Sequence, residues 1–164
     1  MKSAVSNRVI MKKIVLISVG ELKFKELKEI EKKYLKKINH FIKLETLNLK
    51  DIAVPDEKAK KQKEGQMMVN RLEKGDFVIA CDEKGKQMDS LTFANFLSKK
   101  LSYHPGRIVF LIGGHAGLSP LLNDRINVKL SFSAMTIAHD IFRILFFEQV
   151  YRAFTIMRGI TYHR

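Results

Sequence analysis

The chain has 164 residues, and its 30 Lys and Arg against 17 Asp and Glu leave a net charge of +13. This is the length of one domain, and 46% hydrophobic residues suffice to bury a core, which excludes wholesale disorder. The single cysteine, Cys81, excludes an internal disulfide framework and a CxxC zinc site, while the positive charge points to an anionic partner, nucleic acid first and a membrane surface second.

Residues 1–10 lack the continuous apolar stretch of a secretory signal and are expected to form an N-terminal extension without fixed structure. Met11-Lys12-Lys13 makes a natural start, so residues 11–164 are read as a single domain. Ile14–Val19 is a β-rich apolar run. Leu22 to Ile38 is predicted helical, with Leu27, Ile30, Tyr34 and Ile38 on one face and lysines on the other. Ile42–Leu49 alternates as a strand does, and residues 56–74 read as a very polar helix. Phe77–Cys81 reads as a short strand, and Ser90 as the cap of a helix reaching about Leu101. Arg107–Ile112 is a buried strand, and Ser119-Pro120 looks like an N-cap followed by proline at the first helical position. Val128–Phe132 is a fifth strand, and Thr136 is read as the start of a long final helix. Five strands separated by helices argue for an α/β fold with a mainly parallel sheet.

Residues 1–80 carry 19 basic side chains against 11 acidic and are dominated by lysine, while past position 100 the basic residues are almost all arginine. Lysine suits a solvated face, whereas the planar fork of arginine suits buried pairs and phosphate recognition. The final helix, 136–157, is apolar on every side yet interrupted by His139, Asp140, Arg143, Glu148 and Arg152, which excludes a lipid-facing span. A helix apolar all round must be covered all round, so a homodimer interface is expected. Glu148 is expected to pair with Arg152, and Asp140 with Arg143.

Gly113-Gly114-His115-Ala116-Gly117 directly follows a buried strand. Glycine there permits a sharp turn and close approach of a ligand to the main chain, and ligands of open α/β sheets lie at the carboxyl ends of strands. Taken alone, such a turn is more often only a turn. The spacing is neither GxGxxG nor a phosphate loop, so a dinucleotide or NTP site is disfavoured. Leu130-Ser-Phe-Ser-Ala-Met-Thr136 is a second strand-end loop, able to offer backbone hydrogen bonds beside an apolar wall or simply to connect strand and helix. No HExxH, clustered His/Cys set or GxSxG elbow is present, so no metal is expected. Tyr162-His163-Arg164 ends the chain with a stacking ring, an imidazole and a phosphate fork, although chain ends usually fray.

Phe110–Leu118, Leu130–Thr136, His139, Glu148–Ala153 and Tyr162–Arg164 occur together in this order, and the chain from Met11 onward resembles the RlmH (YbeA-like) family of SPOUT methyltransferases. The resemblance implies an α/β fold with a C-terminal trefoil knot. It also implies a cytoplasmic homodimer that methylates N3 of a pseudouridine in 23S ribosomal RNA of the 70S ribosome, with S-adenosylmethionine as donor. By the same resemblance the cofactor contacts fall on Cys81, Gly113, Gly114, Phe132, Ser133, Ala134, Met135, Thr136 and Ile137. Leucine is usual at the position of Cys81 and proline at that of Ala138, so two contacts depart from the family pattern. His139 and His163 are the candidate general bases for the N3 proton, with Tyr162 beside them, and Arg152 and Arg164 the candidate RNA contacts. Modification of another RNA such as tRNA, and a non-catalytic ribosome-binding role, are the alternative readings.

Overall fold

The computed structural model describes residues 12–162; the 1–10 extension, Met11, His163 and Arg164 lie outside the described residues. The elements in chain order are β1 (Lys13–Val19), α1 (Lys25–Ile38), β2 (Lys43–Leu49), α2 (Glu57–Val69), β3 (Phe77–Gln87), α3 (Ser90–Tyr103) and β4 (Ile108–Ile112). A 3-10 turn (Pro120–Leu122), β5 (Val128–Ser131) and α4 (His139–Met157) complete the described chain. The five strands form one sheet in the order β2-β1-β4-β3-β5, and every pairing is parallel.

A parallel sheet is covered on both faces, so its central strands carry near-continuous apolar runs. All five residues of β4 are buried. Along β1 the side chains alternate: Ile14 and Leu16 pack with Phe93, Leu97, Phe146 and Val150 on the face covered by α3 and α4. Val15 and Ile17 pack with Met68 of α2 and Leu122 of the 3-10 turn on the opposite face. On the first face α4 also packs against α1.

Several local expectations are corrected. β3 runs on past Cys81 to Gln87, because Lys86 and Gln87 continue the pairing with Leu130 and Ser131 across an irregularity in the strand. Its second half, Asp82–Gln87, is too polar to read as a strand. Asp89 rather than Ser90 caps α3, accepting from Thr92 N at 2.7 Å; Ser90 Oγ instead donates to Gln149 Oε1 at 2.8 Å, joining α3 to α4. α1 begins at Lys25, not Leu22, and Ile30 on its apolar face is exposed.

Thr136 does not begin α4, which starts at His139. Ser131 Oγ donates to Ser133 O, and Ser133 Oγ accepts from Met135 N at 2.9 Å, so side chains bind the backbone groups that a helix would need. Asp140 does not pair with Arg143: its Oδ2 accepts from Lys23 N at 3.1 Å, in the first turn of α4 where negative charge is favoured. Arg143, 1% exposed, reaches Glu31 of α1 instead (Nη2 to Oε1, 2.8 Å) and donates to Ser18 Oγ of β1 at 3.0 Å. The expected pair of Glu148 with Arg152 is present at 2.6 Å.

Removing one partner of a buried ion pair leaves the other charge uncompensated. Glu31→Ala is therefore expected to cost about 3 kcal/mol of stability in urea unfolding. A loss below about 0.5 kcal/mol, the range of ordinary surface changes, would contradict that role for the pair.

Candidate functional site

Because all strands run one way, the carboxyl ends of β3, β4 and β5 share one edge of the sheet. There the chain leaves β4 at Ile112, β5 at Ser131 and crosses the irregular part of β3 after Cys81, and the three segments enclose a cleft of about 670 Å³.

The first wall is the loop after β4. Gly117 N donates to Gly114 O at 2.9 Å, which closes the turn. A Cβ on Gly113 would stand 2.8 Å from Gly117 C and 2.9 Å from Leu118 N, so only glycine fits where the chain doubles back on itself. The second wall is 132–138. Phe132 stacks on Phe142 with ring centres 5.4 Å apart and meets Phe93 edge-on, so an aromatic cluster holds its base. Met135, 78% exposed, stands at the lip. Thr136 Oγ1 donates to Glu83 Oε2 at 3.1 Å and ties this wall to the third, formed by Cys81, Asp82, Glu83 and Lys84.

Cys81, Gly113, Gly114, Phe132, Ser133, Met135, Thr136 and Ile137 all line the cleft, and His139 does so from the first turn of α4. Ala134 faces an adjoining shallow depression with Gln87, Met88 and Asp89. Gly113-Gly114 and Phe132–Ile137, two segments well separated in sequence, are thus brought together, as their position after β4 and β5 leads one to expect. Asp82, Glu83 and Lys61 also line the cleft and carry no motif that singles them out in the sequence, and Ser119, legible there only as a cap, joins them.

Burial pushes the Cys81 thiol up to about 12, so at neutral pH it is a neutral, apolar-walled group and not a nucleophile. His139 Nε2 is buried without a hydrogen-bond partner, and its Nδ1 lies 3.5 Å from Asp140 Oδ1. Such an orphaned ring nitrogen is the kind of group that a bound ligand can satisfy.

Tyr162 and Arg152 are not among the residues lining the cleft of their own chain. Tyr162 packs edge-on against Tyr151 with ring centres 4.8 Å apart, and its hydroxyl lies 3.3 Å from that of Tyr34. The Arg152 guanidinium, held by Glu148, sits 4.9 Å from the centre of the Tyr162 ring. Burial, with the Tyr34 hydrogen bond second, raises the Tyr162 hydroxyl above the ordinary tyrosine value, so it stays protonated. This aromatic seat holds Tyr162 against α1 and α4. Among the described residues no group of three or more His, Cys, Asp or Glu is arranged to hold a metal, and no helix is long and apolar enough to cross a membrane.

Residues 11–163 match a family model described as "Predicted SPOUT methyltransferase". Among similar curated proteins, the Ribosomal RNA large subunit methyltransferase H of Carboxydothermus hydrogenoformans is 38% identical over 157 residues, covering 92% of this chain and 99% of that protein. The protein of the same name from Clostridium acetobutylicum is 40% identical with the same coverage. That of Christiangramia forsetii is 37% identical over 153 residues, covering 92% of this chain and 98% of that protein.

Proposed function

The chain belongs to the SPOUT methyltransferase family, and on that premise we propose that it transfers a methyl group from S-adenosylmethionine to large-subunit ribosomal RNA, at N3 of a pseudouridine in 23S RNA within the 70S ribosome. The observation that carries the reading is the convergence of two motif-bearing loops, 113–117 and 132–137, on one cleft at the carboxyl ends of β4 and β5.

The residues fit the cofactor. About 670 Å³ falls within the range of small-molecule sites, and the walls combine exposed main chain at the glycine turn with an aromatic base at Phe132. Cys81, Gly113, Gly114 and Phe132–Ile137 would hold it, with Cys81 a narrower apolar contact than the usual leucine. When bound, S-adenosylmethionine supplies a methyl group already activated on a sulfonium sulfur. The protein's task is then mainly to orient donor and acceptor, and Gly113 serves it by letting the main chain approach where a side chain would collide.

N3 of the target base carries a proton that must leave. His139 supports this role by its unpartnered Nε2 at the cleft wall. His163 is the other candidate, carried just after Tyr162. Arg152 and Arg164 are assigned to RNA phosphate; the five donors of a guanidinium allow Arg152 to keep Glu148 and Tyr162 while doing so. The lysine-rich surface of α1 adds a salt-sensitive attraction to the polyanion.

The working unit in this reading is a cytoplasmic homodimer, with the trefoil knot of its family. Phe24, 62% exposed, and Ile141, 52% exposed, flank the Lys23–Asp140 hydrogen bond at the start of α4. Two large apolar side chains left open beside a helix with no polar face support burial against a second copy.

Sedimentation is expected to give twice the 18.9 kDa chain mass; a species of that mass alone at micromolar concentration would contradict the dimer. Labelled S-adenosylmethionine with 70S ribosomes lacking this modification is expected to label one pseudouridine of 23S RNA. Label in tRNA alone, or none, would overturn the assignment. In that assay, loss of the histidine that takes the N3 proton is expected to lower turnover about 100-fold or more. Full turnover in His139→Ala or His163→Ala removes that residue from the role.

A further inference from the structure

Glu64 is the one carboxylate among the described residues that is buried without hydrogen bonds, and it has no part in the chemistry proposed for the cleft. It lies on α2, is 2% exposed, and neither Oε1 nor Oε2 has a hydrogen-bond partner. It sits against the back of the glycine loop: a Cβ on Gly114 would stand 2.8 Å from Oε2 and 3.3 Å from Oε1. Gly114 itself lines the cleft. The carboxylate thus lies against a residue that borders the ligand space and carries no side chain.

The surrounding charges offset it only in part, through one long ion pair with a lysine that is shared. Lys60 Nζ is 3.8 Å from Oε1, but that ammonium is bonded at 2.6 Å to Asp51, in the segment after β2. Lys61 of α2 and His115 of the loop line the cleft nearby. The 3-10 turn packed on α2 contributes Ser119 at the loop's far side, beside Gly65. A buried charge lacking hydrogen bonds is costly and becomes favourable when an opposite charge enters the same low-dielectric space.

We propose that Glu64 is a buried counter-charge of the cleft, which favours a cationic ligand lying along the glycine loop over its neutral counterpart. On the reading that this cleft takes S-adenosylmethionine, Glu64 distinguishes the sulfonium donor from the neutral thioether that remains after methyl transfer. It acts through the loop and not by contact, so it is a positioning residue. Its effect is to hold the donor and to release the spent cofactor. Burial raises the Glu64 carboxyl above the ordinary glutamate value, with Lys60 opposing and Asp51 reinforcing the shift. In the ligand-free protein Glu64 therefore holds its proton to higher pH than an exposed glutamate. A cation in the cleft favours the carboxylate, and the proton passes to solvent. Affinity for the cation then rises with pH, while affinity for the neutral thioether does not follow it.

Titration calorimetry with S-adenosylmethionine and, separately, S-adenosylhomocysteine decides the matter, using the full chain and Glu64→Gln. The wild type is expected to prefer the sulfonium increasingly as pH rises above the ordinary glutamate range and its carboxylate forms. Glu64→Gln is expected to lose about tenfold in affinity for S-adenosylmethionine, within the usual range of coupling between sites, and under twofold for S-adenosylhomocysteine, with a flat pH profile. Equal losses for both ligands would mean a structural role only and would overturn the proposal, as would no loss for either. If the variant does not fold, the wild-type profile decides alone, and a preference independent of pH overturns the proposal. If the wild type binds neither ligand, the cofactor reading itself fails and this inference with it; binding of both without the Glu64 effect leaves the cofactor reading standing and removes only the inference.

Discussion

The constraint on which the rest depends is that every strand pairing in the sheet is parallel. Parallel neighbours cannot be joined by tight hairpins, so each strand must return across a face of the sheet before the next can pair. Both faces are then covered, which is why β1 and β4 are apolar at nearly every position. All strands also deliver their carboxyl ends to the same edge. The cleft is a consequence of that direction: the loops after β4 and β5 and the irregular stretch of β3 have nowhere else to meet.

One buried polar contact orders the elements around that edge. Arg143 projects from α4 into the space between α1 and β1, where Glu31 and Ser18 hold its guanidinium. Taking such a charge out of water is expensive, and the partners must be aligned for the structure to tolerate it. The alignment specifies how α4 lies on α1. Since α4 begins with His139 at the cleft and ends near the Tyr34–Tyr151–Tyr162 cluster, the same contact orients both the imidazole and the seat of the terminus. The ion pair is a packing contact whose effect reaches the functional site.

Strands buried on two faces announce themselves, so β1 and β4 are legible as runs of apolar residues. The second half of β3 is not, because Asp82–Gln87 lies beside an edge strand and keeps a polar sequence. Thr136 carries the right residue type for a helix cap, yet Ser131 and Ser133 occupy the local backbone groups first. Arg143 has a carboxylate three residues away in sequence and chooses one 112 residues away, a choice set by tertiary packing alone. The two cleft loops were readable through their motifs, since the family resemblance names Gly113, Gly114 and Phe132–Ile137 directly. Glu64 was not. It stands in the run Lys-Lys-Gln-Lys-Glu-Gly-Gln, which reads as a solvated face, and the neighbouring Gly65 is the only local sign of close packing: a Cβ there would collide with Ser119 at 2.3 Å.

The central claim is that the glycine turn and the 132–137 loop together form the cofactor site. A crystal structure with S-adenosylmethionine tests it most directly. The account predicts ligand density between Gly113-Gly114 and Phe132–Ile137, at the carboxyl ends of β4 and β5. Ligand density at any other place on the protein, or an ordered cleft left empty at saturating ligand, would contradict it.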